Sequence, residues 1–177
     1  RPASNQKRIA YISIFVTLTA IGAFIKIPTF IPFTLQVFFV LLAGFVLGAR
    51  GGFISQAAYL VLGLIGLPVF SNFTGGISAV FSPSFGFLLS FPITAALVGY
   101  LSDRIGRNNF FKSFLSLLTG LVPLYLLGLL YYMYYMNRIM GIDVNIIKAL
   151  QTAFLPFIAF DILKAFIAVI VGRRILK

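Results

Sequence analysis

Apolar residues in this chain come in long unbroken runs, without the alternation of a half-buried strand or the single stripe of a surface helix. A helix needs about 20 apolar residues to cross a hydrocarbon core. Cutting the chain at its charges and its Pro/Gly clusters predicts six such helices, over residues 9–26, 34–49, 51–66, 84–102, 113–136 and 147–172. No charge separates the third from the fourth, because 51–102 carries none. The break falls in 67–82, LPVFSNFTGGISAVFS, where Pro68, Asn72 and Gly75-Gly76, followed by Ser82-Pro83, favour irregular backbone. That loop holds Val69, Phe70, Phe73, Ile77, Val80 and Phe81, too apolar a set to float in water. Irregular backbone at membrane depth is tolerated only where protein covers it or it lines a cavity. The expected fold is therefore an all-α integral membrane protein, a single six-helix domain over 1–177. The loop between helices 3 and 4 is expected to close the outer mouth of the bundle as a lid.

Composition agrees, with 60% of residues apolar and 10% charged, where a soluble domain carries about a quarter. The charge is unbalanced, 14 Lys+Arg against Asp103, Asp143 and Asp161, for a net +11. Such an excess can mark a nucleic-acid binder. Here the cations stand singly or in pairs between apolar runs, as loops at a bilayer surface require, so no nucleic acid is expected. With both termini inside, the cytoplasmic segments hold ten cations, and the outer ones hold only Lys26, Arg138 and Lys148. That asymmetry predicts a multi-pass protein of the cell membrane with both termini cytoplasmic. Tyr131, Tyr132, Tyr134 and Tyr135 then fall at the outer end of the fifth helix, where interfacial tyrosines belong. The basic start and apolar run look like a secretion signal, but Lys26-Ile27-Pro28 follows where a small-residue cleavage site would stand.

The absence of Cys and His excludes disulfides, thiol chemistry, zinc sites and imidazole-dependent triads. No GxxxxGK[ST] segment offers an ATP site. No metal, no cofactor and no enzymatic activity is expected. The residues that invite chemistry are Asp161 and Lys164 in FDILKAF, three apart and so on one helix face within an apolar run. Charges at that depth are costly and face a cavity or a partner. They can serve a polar ligand site, form an ion pair that only helps packing, or, less readily with one buried carboxylate, relay protons. Asn72 in the lid offers both donors and acceptors, or merely shapes an Asx-turn. Gln36 stands at the outer entrance of the second helix, to line the cavity or to cap. Gly44 and Gly48 in GFVLG make a small-xxx-small face suited to packing within the bundle. Thr19 and Ala23 do the same in the first helix, there either for packing or for another membrane subunit. The fifth helix shows no chemical signal, only a length that suggests tilt.

Four stretches in order, TLTAIGAFIKIPTFIPFTLQVFFVLLAGFVLGARGG, YLVLGLIGLPVFSNFTGG, SPSFGFLLSF and FDILKAF, resemble the biotin-specific S components of energy-coupling factor (ECF) transporters, the BioY family. Only 103–150 lacks a distinctive motif. The resemblance implies a membrane subunit that captures biotin from outside and sits in the lipid bilayer. Transport would be powered by a separate transmembrane coupling subunit and two cytoplasmic ATPases. It further implies that Asp161, Lys164 and Asn72 are the polar contacts of the ligand, and that the small face of Thr19, Ala20 and Ala23 meets the coupling subunit. Biotin carries a ureido ring, a thioether ring with an aliphatic chain, and a carboxylate. Asp161 can accept from a ureido N–H and Lys164 can donate to the ureido oxygen, while Tyr59, Phe70 and Phe85 can pack the apolar body. Two positions depart from the family pattern: its Gly-Pro-Thr-Gly-Gly-Tyr-like segment reads Ser82-Pro83-Ser84-Phe85-Gly86-Phe87, and the Gly before Asp is Phe160. A bulky Phe85 and Phe160 would reshape the pocket, which leaves a related vitamin or precursor, or a purely structural subunit, as alternative readings.

Overall fold

The computed structural model describes residues 5–177, so Arg1, counted above with the cytoplasmic cations, lies outside the described residues. The architecture is helical. Helix α1 (Asn5–Phe24) leads into a two-residue-per-strand hairpin, β1 (Lys26–Ile27) and β2 (Phe33–Thr34). Then follow α2 (Gln36–Leu64), two short 3-10 turns (Ser71–Phe73 and Ile77–Phe81) and α3 (Phe85–Ile105). Helix α4 (Phe110–Tyr134) runs on into a π turn (Tyr135–Ile139), and α5 (Ile146–Ala153) and α6 (Leu155–Ile175) complete the chain. Five of these, α1, α2, α3, α4 with its π turn, and α6, are long and apolar enough to cross a membrane.

The expected second and third helices are the two arms of α2, folded back on each other. Gly48 breaks the helix with φ 75° and ψ 178°, a backbone conformation open to glycine and costly for a residue with a Cβ. The amide of Gln36 donates to the Tyr59 hydroxyl at 2.7 Å, although 23 residues of straight helix would separate them by about 35 Å. The turn thus comes at Gly48, ahead of the charge at Arg50 that marked it in the sequence. Arg107 closes it from α3's end: its Nε donates to the Phe45 carbonyl at 2.9 Å while its guanidinium pairs with Asp103 at 2.7 Å. A carbonyl left open where the first arm ends is satisfied in this way.

Of the expected Gly44–Gly48 face only Gly44 packs within the bundle as a helical residue, because Gly48 forms the turn; Gly52 of the second arm meets Gly44 instead. A Cβ built on Gly52 would lie 2.9 Å from the Gly44 Cα, and one on Gly44 would lie 2.3 Å from the Ala95 carbonyl oxygen. Both arms and α3 therefore meet backbone to backbone.

The expected sixth helix, 147–172, is in fact two. It breaks at Phe154 (φ −125°, ψ −61°), two residues before Pro156 in the first turn of α6. In that turn the missing N–H of Pro156 has no intrahelical partner to lose, and its fixed φ suits a new start. Asn145 caps α5, accepting from the Lys148 backbone N–H at 2.9 Å. The first helix also stops earlier than expected, at Phe24, and places Lys26 in the hairpin.

The hairpin, the 65–84 connection and α5 gather at one end of the bundle: Lys26 of the hairpin meets Asn72 of the connection, Phe30 between the strands meets Tyr132 of α4, and Thr152 of α5 donates to the Tyr132 hydroxyl at 3.2 Å. The Gly48 turn, the α3–α4 turn and the end of α6 gather at the other, where Arg173 donates to the Asn108 carbonyl at 2.7 Å. Between them lies a core centred on Leu41, Phe45, Tyr59, Val98, Leu117 and Leu124.

Substituting Gly44→Ala drives a methyl into the Ala95 carbonyl, and overpacking of this kind costs about 1–3 kcal/mol. The expected result is a lowered thermal unfolding midpoint in detergent; an unchanged midpoint would refute the three-way backbone contact.

Candidate functional site

One turn and a half into α6, Asp161 and Lys164 point into the bundle, 4% and 8% exposed. Lys164 Nζ lies 2.7 Å from Asp161 Oδ1 and also donates to the Thr34 carbonyl in β2 at 2.8 Å. Its ammonium sits 4.1 Å from the centre of the Phe33 ring, where the negative face of the ring attracts a cation. The other carboxylate oxygen, Oδ2, accepts from the Tyr125 hydroxyl at 2.6 Å. Three elements are thereby tied at one point: α6, α4 and the hairpin. Each charge has a partner, the condition for two ions to persist at this depth.

Beside this pair opens a cavity of about 380 Å³, a size that suits a small organic molecule. The hairpin contributes Phe33 and Thr34, the 65–84 connection contributes Phe70, Asn72, Ser78 and Ser82, and α3 contributes Phe87 and Phe91. Tyr125, Asp161 and Lys164 supply the remaining polar wall. The lining thus combines aromatic faces with hydroxyls and amides, and it has one carboxylate and one ammonium.

Five residues expected at the site do line this cavity: Gln36, Phe70, Asn72, Asp161 and Lys164. Two do not. Tyr59 is fully buried beneath Phe70, ring centres 5.7 Å apart. Its hydroxyl donates to the Val69 carbonyl at 2.8 Å and accepts from Gln36, so it props up the lining from behind. Phe85 packs against Tyr131 at 5.7 Å, outside the cavity, and Phe87 takes the inward place. Phe85 opens α3, and two residues of helix turn the side chain by about 200°. Nor does Phe160 shrink the cavity: it is 52% exposed and borders a separate apolar cavity of about 560 Å³ with Tyr132, Met136 and Thr152. The stacked rings of Phe33 and Phe157, 5.8 Å apart, border both spaces.

The small face of α1 also lies elsewhere than expected. Thr19 and Ala23 are fully buried and Ala20 is half-buried. Thr19 accepts from Gln56 of α2 at 3.1 Å and donates back to the Phe15 carbonyl at 2.8 Å. Small side chains let α1 lie close on α2, so the chain's own helix occupies the face expected to receive a partner. The exposed side of α1 carries Ile14, Thr17 and Ile21.

Asn72 sits in a strained loop, with φ 65°, followed by Phe73 with φ 56°. Asparagine tolerates this left-handed conformation and phenylalanine does so at a cost. Two contacts hold it there: Phe73 stacks on Phe24 with ring centres 4.2 Å apart, and Lys26 Nζ donates to Asn72 Oδ1. Tyr125, Thr34 and the serines at 78, 82 and 84 also line the cavity, though none was expected at the site. For Tyr125 a signal existed, since a tyrosine at mid-helix in an apolar run needs a partner for its hydroxyl.

A family model described as the BioY family matches residues 1–177. The "Probable biotin transporter BioY" of Pyrococcus horikoshii is 39% identical over 170 residues, covering 96% of each chain. The "Biotin transporter BioY" of Thermotoga maritima is 36% identical over 165 residues, covering 93% of this chain and 92% of its own. Among solved structures, the S-component for biotin from an ECF-type ABC transporter superposes with a TM-score of 0.88 at 28% identity, over 99% of this chain and 94% of that one.

Removing the Tyr125 hydroxyl with Tyr125→Phe deletes a hydrogen bond to a charged group, worth about 1.5–3 kcal/mol. In a double-mutant cycle with Asp161→Asn, most of that loss in unfolding stability should vanish once the carboxylate is gone. Equal losses in both backgrounds would show that the two residues are not coupled.

Proposed function

The chain belongs to the BioY family, and from that membership we propose that it is the substrate-binding membrane subunit of a biotin importer, an S component and not an enzyme. The observation that carries the reading is the Asp161–Lys164 pair on the wall of a small-molecule cavity. Its spare hydrogen-bonding capacity matches a ureido ring. A carboxylate has about four lone-pair sites. Asp161 uses one for Lys164 and one for Tyr125, which leaves room for a ureido N–H. The ammonium has three protons, of which two go to Asp161 and the Thr34 carbonyl, and the third can reach the ureido oxygen. Asn72, whose Oδ1 is taken by Lys26, keeps its amide N–H groups for the ligand. Phe33, Phe70, Phe87 and Phe91 pack the thioether ring and aliphatic chain, in place of Tyr59 and Phe85.

In this reading the whole chain is one binding domain of the cell membrane with both termini cytoplasmic, as the ten-to-three distribution of cations supports. The cavity then opens to the outside and 67–82 serves as its lid. The chain has no phosphate-binding motif of its own, so energy comes from a coupling subunit and two ATPases. The exposed side of α1, with Ile14 and Thr17, is available to that coupling subunit. A second reading, a pair that only holds the bundle, draws on the fact that both charges are already partnered without a ligand.

Binding separates the two. Native mass spectrometry of the detergent-purified protein, followed by calorimetric titration, should give one biotin per chain. Asp161→Asn should weaken that binding at least about tenfold while the protein stays folded. An unchanged affinity would overturn the assignment, and no binding at all would favour the packing role.

A further inference from the structure

The charges on the cavity wall, Asp161 and Lys164, cancel each other. A ligand with a free carboxylate brings one negative charge more than this wall balances, and an unpaired carboxylate is expensive to take out of water. The end of the bundle that holds the cavity carries three other cations, Lys26, Arg138 and Lys148. Neither Arg138 nor Lys148 is among the residues that line the cavity. Lys26 is not part of the first cavity's lining either, but it touches that lining. Its Nζ donates to Asn72, a lining residue. Its Cα is paired directly with Thr34 across the hairpin, and opposed residues of an antiparallel pair project from the same face. Thr34 lines the cavity, so the hairpin position that carries Lys26 lies beside it. No acid neutralises it: the ion pairs among the described residues are Asp103–Arg107 and Asp161–Lys164. A cation is thus held at the cavity rim by a neutral amide.

We infer that Lys26, steadied by Asn72, is the residue that recognises the carboxylate of the ligand. This rests on the biotin reading above and extends it: the Asp161–Lys164 end takes the ureido ring, and the Lys26–Asn72 end takes the acid at the far end of the aliphatic chain. Ser71 and Ser78, also in the lining, stand in the same loop as neutral donors. Because the rim is open to solvent, the Lys26 contribution is screened by salt.

The test uses the full-length protein in detergent and two ligands, biotin and biotinamide, which differ only at the carboxyl end, a carboxylate in one and a neutral amide in the other. Native protein should bind biotin about tenfold more tightly than biotinamide, and Lys26→Gln should remove that preference by weakening biotin alone. Lys26→Arg should restore it, and raising the ionic strength should erode it. If Lys26→Gln weakens both ligands equally, Lys26 merely holds Asn72 and the assignment is overturned. It is overturned as well if the variant binds biotin like the native protein, or if the native protein does not distinguish the two ligands. Failure of the native protein to bind either one removes the biotin reading itself and this assignment with it.

Discussion

A carboxylate and an ammonium buried together in an apolar bundle set the terms for everything around them. Taking either out of water costs several kcal/mol after relaxation, and losing one partner strands the other. The fold answers by bringing three separate parts of the chain to the same place: the Tyr125 hydroxyl from α4, the Thr34 carbonyl from the hairpin, and the pair itself from α6. Once those donors and acceptors are committed, the hairpin cannot drift from α6, and the aromatic side chains it carries are fixed as a cavity wall. In the function proposed above, structural need and ligand recognition use the same atoms. The packing and binding roles weighed from the sequence therefore describe one arrangement, whose remaining lone pairs and proton are what a ligand can use.

Membrane character, helical class and the depth of Asp161 and Lys164 could be read directly from the sequence, because long apolar runs and rare intramembrane charges are strong signals. Irregularities within the apolar runs were harder to place. Gly48 and Arg50 stand two residues apart, and a charge marks a boundary more loudly than a glycine, yet the turn needs a backbone that only glycine supplies cheaply. Pro156 was hidden inside an apolar run, so the α5–α6 break went unseen. Facing direction was the other gap. Phe85 looks like a ligand-packing aromatic in the sequence, and only the start of α3 decides that Phe87 turns inward in its place. Thr19 and Ala23 show the same ambiguity, since a small face permits close approach without naming the helix that approaches. Here it is α2 of the same chain.

Support for the cavity extends past the residues that border it. Tyr59 touches no cavity space, yet its hydroxyl holds Gln36 at one wall and the Val69 carbonyl at the root of the covering loop. The Lys26–Asn72 and Phe24–Phe73 contacts fasten the same loop farther along, to the end of α1 and the first strand. Binding residues on a connection gain definition from such anchors, which replace the regular backbone bonds the connection lacks.

The fold at Gly48 also bears on thickness. Residues 36–47 form an arm of about 18 Å at 1.5 Å per residue, against a hydrocarbon core of about 30 Å. A helix that short leaves a deficit of roughly two turns, which a bilayer would otherwise meet by thinning. Here the deficit lies at the end where Gln36 begins the arm, and Gln36 is part of the cavity lining. The arm stops where the cavity begins, so its first residue stands in the cavity wall. The protein makes its vacancy by omission, with a truncated helix, a hairpin and a loop bounding the space beside Asp161 and Lys164.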